Sequence, residues 1–243
     1  MASNPIADIF RIRDLRERVI FTLAMLAIFR LGATIPIPGI NLNALQVYFT
    51  AQQAGTGISV TDYLDFFAGG AFSRFSVFML GIMPYISMSI IMQLLLLVFP
   101  ALKRISEEEG GRKKIQRYTR YGTVVVALIQ SFAVTVYADS IPDAITISRG
   151  LYTVVSMLSV TTGTVFLMWI GEQINQRGIG NGISLLIFSG IVARMPNAIW
   201  LLMQRVRTGD LNPVFVIVVF AMFVGVVALV IYEQRGQRKI PIH

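Results

Sequence analysis

Arg177-Gly178-Ile179-Gly180-Asn181-Gly182 is the run whose residue types come closest to a ligand-binding motif, because closely spaced glycines let a backbone wrap around a phosphate. It follows a long apolar run and not a strand, so it lacks the strand-turn-helix context of a dinucleotide fingerprint and is expected to be a tight turn between two helices. No H-E-x-x-H, G-x-S-x-G or P-loop pattern occurs. There is no cysteine, which excludes disulfides, thiolate-bound metals and thiol catalysis, and the single histidine is His243. A metal site or a histidine-based triad has almost nothing to be built from. The polar residues embedded in apolar stretches are Arg30, Gln93, Gln130 and Arg194, with Glu172 at a border, and their spacing makes no acid/base set. Gln93 and Gln130 either hydrogen-bond between helices or line a path open to water or lipid, since unpaired amides in hydrocarbon are costly. Two pairs of isoleucines, Ile82 with Ile86 and Ile187 with Ile191, are each four apart and so share a helical face. Alone, that is the pattern of any lipid-facing helix. Ser159 and Gly163 have the spacing of a small-residue helix contact.

The elements that must carry these residues are membrane helices. Of 243 residues, 55% are hydrophobic and 14% charged, against about 25% charged in an ordinary soluble domain. Uncharged apolar runs near the length of about 20 residues that crosses a bilayer as a helix recur along the chain. They lie at 19–38, 75–102, 121–138, 150–171, 183–204 and 211–232, the third short and the fifth interrupted by Arg194 and Pro196. Six spans are therefore expected. The first is no signal peptide, being nearer 20 residues than the about 7–15 of a signal core and lacking a small-residue cleavage site. With the N-terminus cytoplasmic, 15 of the 21 Lys and Arg fall inside, four fall outside (Arg74, Arg149, Arg205, Arg207) and two lie within spans. The net charge of +8 is thus a topological bias that places both ends in the cytoplasm.

The connection 39–74 is long and patterned. It opens with Ile35-Pro36-Ile37-Pro38-Gly39, whose prolines end the first helix, passes through a polar stretch at 52–57, and closes with an apolar, aromatic, glycine-broken piece, Asp62–Phe72. That piece is too short to cross a bilayer. It is either an interfacial amphipathic segment or a short helix folded back into the protein, because irregular backbone at membrane depth survives only when protein or water surrounds it.

Several stretches together resemble the SecY family, the central subunit of the protein-conducting channel. They are Phe29-Arg30-Leu31-Gly32 with Ile35–Ile40, Gly69-Gly70-Ala71-Phe72-Ser73-Arg74, Gly81-Ile82-Met83-Pro84-Tyr85-Ile86-Ser87, Gln116–Gly122, Trp169–Ile174 and Arg177–Ser184. The resemblance is collinear from about residue 10 onward. It implies an all-α polytopic bundle, the first half of an inverted-repeat ten-span channel: a cytoplasmic segment 1–18, a five-span half 19–210 with a re-entrant plug at 62–72, a sixth span 211–232, and the start of a cytoplasmic loop at 233–243. On that reading the chain is a fragment of a longer protein.

The resemblance also implies roles. Ile82, Ile86, Ile187 and Ile191 match a ring of aliphatic side chains at the channel waist, which lets an unfolded chain slide while resisting water and ions by dewetting. Asp62, Tyr63, Leu64, Phe66, Phe67, Gly69, Gly70 and Phe72 match the plug beside the ring. Ser87, Gln93, Gln130 and Ser131 fall on the helices of a lateral gate, through which signal peptides and membrane segments reach lipid. Lys103, Arg104, Arg112, Lys113 and Lys114, in a basic loop 103–120, and Arg235, Arg238 and Lys239 near the chain end, are the cytoplasmic contacts. The implied partners are SecE and SecG, the motor ATPase SecA or a ribosome with its nascent chain, signal peptides and anionic lipid, in the bacterial plasma membrane. No enzyme activity, cofactor or metal is implied. The competing reading is half of an inverted-repeat secondary transporter, which would need polar groups at the midplane where this sequence has isoleucines.

Overall fold

Prolines, glycines and asparagines set the helix boundaries. A computed structural model describes residues 12–53, 65, 68–209 and 212–236. Helix α1 (Arg13–Gly32) stops short of Pro36, and α2 (Leu42–Gln53) starts where the Asn41 Oδ1 accepts from the amides of Asn43 and Ala44. Helix α3 (Met83–Val98) carries Pro84 in its first turn. It ends at Phe99, whose extended backbone is what a residue before proline favours, and α4 (Pro100–Glu107) leaves at 103°. Gly110, at φ +75°, opens α5 (Gly111–Asp139), followed by α6 (Arg149–Arg177), α7 (Gly182–Arg207) and α8 (Pro213–Arg235). The described residues contain no strand, only isolated antiparallel bridges between Pro36 and Ser76 and between Ile40 and Ile145.

The chain divides into two compact units, Met1–Arg194 and Met195–His243. In the first, α5 lies along α6, while α3 packs on α5 and α1 on α6. Its interior is built on Phe75, Tyr152, Ile37, Leu45, Met79, Leu167 and Ile170, all essentially inaccessible. In the second unit α8 has no charged residue between Val214 and Tyr232 and is exposed almost all round, as expected of a helix whose solvent is lipid.

Four expectations need correction. The second span is not one helix over 75–102: Phe75 to Ile82 is a chain of turns with positive φ at Phe75 and Gly81. Only the 16 residues Met83–Val98 are helical before the break, too few for the about 30 Å of hydrocarbon at about 1.5 Å per residue. The irregular part can sit at membrane depth because it is surrounded by protein and its backbone is paired. Ile37 N–H donates to Phe75 O (2.8 Å), Val77 N–H to Ile35 O (3.0 Å), and the Ser76 hydroxyl to Gly32 O (3.2 Å). Secondly, the basic 103–120 stretch is no loop but mostly the helices α4 and α5. Thirdly, the first part of the patterned connection 39–74, where no helix was expected, forms α2. Fourthly, Gly163 packs not on another helix but on turn backbone, where an added Cβ would stand 2.0 Å from Val77 O. Among the described residues four helices are long and apolar enough to cross a membrane, or five if α3 and α4 count as one broken span, against the six expected.

Candidate functional site

The α7 end of the site is fixed by the glycine turn. Asn181 Oδ1 accepts from the amides of Ile183 (3.0 Å) and Ser184 (3.3 Å), while Gly182 N–H donates to Asn175 Oδ1 (2.7 Å). An added Cβ on Gly182 would lie 2.1 Å from Gly171 O, so only glycine lets α7 start this close to α6. The amide of Ile179 donates to the Thr22 hydroxyl of α1 (3.1 Å). The run is thus a tight turn joining three helices.

From that anchor α7 carries Ile187 to a cavity of about 550 Å³ bounded by the start of α3, the last third of α5 and the stretch after Asp65. Ile82 and Ile86 line it from α3, Val134 and Tyr137 from α5, and Ala68 and Phe72 from the glycine-broken piece. Ile82 is the N-cap and not a helical residue of α3, yet its carbonyl accepts from Ile86 N–H (3.1 Å), so the two side chains still share a face. Of the polar residues assigned to a gate, the structure brings Ser87 and Gln130 to this wall. It does not bring the other two. Gln93 is on the exposed side of α3, and Ser131 is buried toward α6, its hydroxyl 3.4 Å from that of Thr161. Ile191 is half-buried but does not line the cavity.

The wall is mostly apolar, and its two rings, Phe72 and Tyr137, pack with the buried Phe75 behind them in a tilted and stacked triplet with ring centroids 5.9–6.3 Å apart. Among the described residues no three His, Cys, Asp or Glu side chains gather as a metal site.

Gly69, Gly70 and Phe72 lie within the described residues, while Asp62, Tyr63, Leu64, Phe66 and Phe67 lie outside them, as do Arg238 and Lys239. Lys103, Arg104, Arg112, Lys113, Lys114 and Arg235 are exposed, and Lys114 pairs with Glu108 at 3.2 Å. Sequence reasoning missed the charge pairing of the site. Asp65 pairs with Arg194 (2.5 Å), Arg30 donates to Gly69 O (2.8 Å), and Glu172 pairs with Arg120 (2.7 Å) within reach of Gln116 (3.4 Å). The available signal was that Arg30 and Arg194 each stand alone in an apolar run, and such residues demand a partner.

A family model described as SecY matches residues 76–243. The chain belongs to the SecY family. The protein translocase subunit SecY of Borreliella burgdorferi is 51% identical over 238 residues, 97% of this chain and 54% of that protein, and the one of Escherichia coli K12 is 44% identical over 234 residues, 95% and 52%. This SecY-family chain therefore spans about half the length of the curated relatives it matches. Among solved structures, Sec61 in the canine ribosome-channel complex aligns with a TM-score of 0.61 at 19% identity, covering 99% of this chain and 54% of that one. A SecY structure described by its plug domain, which stabilises the closed state of that channel, gives 0.61 at 18%, covering 98% and 53%. These likenesses establish the fold, a helical membrane channel half. With the family established, the reading as half of a solute transporter falls away, and the chain is a multi-pass membrane protein.

Proposed function

We propose that this chain supplies one half of a protein-conducting channel, in which Ile82, Ile86 and Ile187 form part of the constriction around a translocating polypeptide. The observation that carries the reading is the apolar cavity itself: isoleucines from two helices far apart in sequence face one space, beside the glycine-broken piece. A constriction of flexible aliphatic side chains resists ions while presenting no fixed polar partner to a sliding chain. Ile191 is the weaker member, because it stands outside the cavity wall.

The piece containing Asp65, Gly69, Gly70 and Phe72 acts as the plug of this half, filling the space next to the isoleucines. Ser87 and Gln130 are the gate contacts the geometry supports, with exchangeable polar atoms on an otherwise apolar wall. The subunit is a conduit and not an enzyme, driven by SecA or by a ribosome and assembled with SecE and SecG. It lies in a bacterial plasma membrane with its N-terminus cytoplasmic, so that the exposed cations of α4 and α5 meet anionic lipid or the cytoplasmic partner.

The deciding experiment is photocrosslinking in native membranes, using the full-length protein with a stalled secretory chain. A probe at Ile86 is compared with one at Leu97, which is 82% exposed on the far part of α3. Crosslinks to the secretory chain from Ile86 alone are expected; equal or absent crosslinks at both positions would remove the pore assignment.

A further inference from the structure

We propose that Asp65 and Arg194 form a latch that holds the plug piece in place, and that its release sets how readily the channel opens; this rests on the channel reading above. Asp65 is only 5% exposed and uses both carboxylate oxygens. Oδ2 takes the Arg194 guanidinium of α7 at 2.5 Å, and Oδ1 accepts the backbone amide of Ser73 at 2.9 Å. The Asp65 carbonyl accepts in turn from Gly70 N–H at 2.9 Å. One residue therefore holds the backbone at Gly70 and Ser73 and ties it to α7.

A second tether comes from α1, where Arg30, an arginine in an apolar run, donates to Gly69 O at 2.8 Å. Gly69 adopts φ +65°, and an added Cβ there would stand 2.8 Å from Gly190 Cα, so the turn lies directly on the backbone of α7 one turn before Arg194. The piece is thus held by two half-buried cations from two helices, one through a buried carboxylate and one through a carbonyl. The arrangement is also asymmetric. The Arg30 bond goes to a main-chain carbonyl, at a position the close approach to Gly190 restricts to glycine, whereas the Arg194 bond exists only because residue 65 is acidic. Charge-assisted bonds of this kind are short and strong, but they exist only in one register, so withdrawing the piece breaks the pair at once and leaves the closed state nothing intermediate to rest in. The pair accounts for an arginine placed just before Pro196 in an apolar run, which otherwise carries a desolvation cost with no return.

The test uses the full-length channel with its partners in native membranes. Arg194→Met, Asp65→Asn and the double variant are compared for ion leak of the resting channel and for export of a precursor with a defective signal. Each single variant is expected to raise both by roughly tenfold, the factor that follows from losing one charge-assisted bond from the closed state alone. The double variant should do no more than the stronger single one, because the two residues act as a unit. Export of a precursor with an intact signal stays at the wild-type level, which shows that the variants fold. Leak and stringency unchanged in both single variants, or effects that multiply in the double variant, would overturn the latch. If instead the wild-type protein itself passes no polypeptide and Ile86 gives no crosslink, it is the channel reading that has failed.

Discussion

At the scale of single residues, the wall of the cavity makes its own forecast. Ile86 is half-buried and faces a space whose other contributors are Ile82, Ile187, Val134 and Phe72. An amide there supplies the hydrogen-bonding group that lets water wet a dewetted constriction, so Ile86→Asn in the full-length channel is expected to raise resting ion conductance, read by single-channel recording in planar bilayers. Conductance equal to wild type would mean that Ile86 does not face the path. Gly182 is a packing position and behaves differently. Any Cβ there meets the Gly171 carbonyl, so Gly182→Ala is expected to cost about 1–3 kcal/mol of stability, the range for overpacking a close contact. A thermal midpoint in detergent unchanged from wild type would count against the contact. The pattern of isoleucines four apart was visible in the sequence, but that three of them face one space depends on Ile82 serving as an N-cap and on α7 starting against α6. Spacing alone carries neither fact, and it equally fails to separate Ile191 from its neighbour.

Caps make the clearest prediction at the scale of elements. Asn181 alone satisfies two orphan amides at the start of α7, so Asn181→Ala is expected to lower stability by about 1 kcal/mol while Asn181→Asp retains it, read by thermal unfolding in detergent. Equal loss in both variants would show that Asn181 acts through something other than its carbonyl oxygen. The helices that sequence reasoning located best were α6, α7 and α8, while of α5 it found only the part after Arg120. It placed the second span badly because the apolar run 75–102 hides two different backbones. Phe75–Ile82 is as hydrophobic as a helix, yet it is diverted into turns where Ile35 and Ile37, freed by the prolines beside them, offer it hydrogen bonds. Such pairing is set by residues some forty positions upstream, which no local period reports. Helix α2 was missed for a related reason: its sequence, Leu42–Gln53, is only moderately apolar, and the signal that starts it is a single side chain, Asn41. The basic stretch read as a loop because charge runs usually are solvated. Here the same charges decorate exposed faces of α4 and of the first turns of α5, and the break between them is the extended Glu108 followed by Gly110 at positive φ.

For the whole molecule, the distribution of charge is the argument, and it stands independently of any site. The exposed cations Lys103, Arg104, Arg112, Lys113, Lys114 and Arg117 gather around the α4–α5 junction, whereas the α5–α6 connection carries Asp139, Asp143 and the single cation Arg149. Arg149 is itself paired with Asp139 at 2.9 Å, so that connection presents almost no free positive charge to retain it in the cytoplasm. Because moving cations outward is what the insertion machinery resists, the α4–α5 junction is expected inside and the α5–α6 connection outside. These 243 residues contain no cysteine, so within them a single introduced thiol is the only site for a maleimide, and any cysteine elsewhere in the full-length protein is first replaced by serine. In the full-length protein in intact cells, Ser140→Cys should react with a membrane-impermeant maleimide and Glu109→Cys should be protected; in inverted vesicles the two should exchange. Both positions are exposed, so protection reports the membrane and not burial in the fold. The opposite labelling pattern would invert the orientation, and with it the assignment of the basic face to cytoplasmic partners. Equal labelling of both thiols in intact cells would instead place the two connections on one side. That outcome is incompatible with α5 as a crossing helix, although its 29 residues and apolar window make it one of the four helices long enough to span.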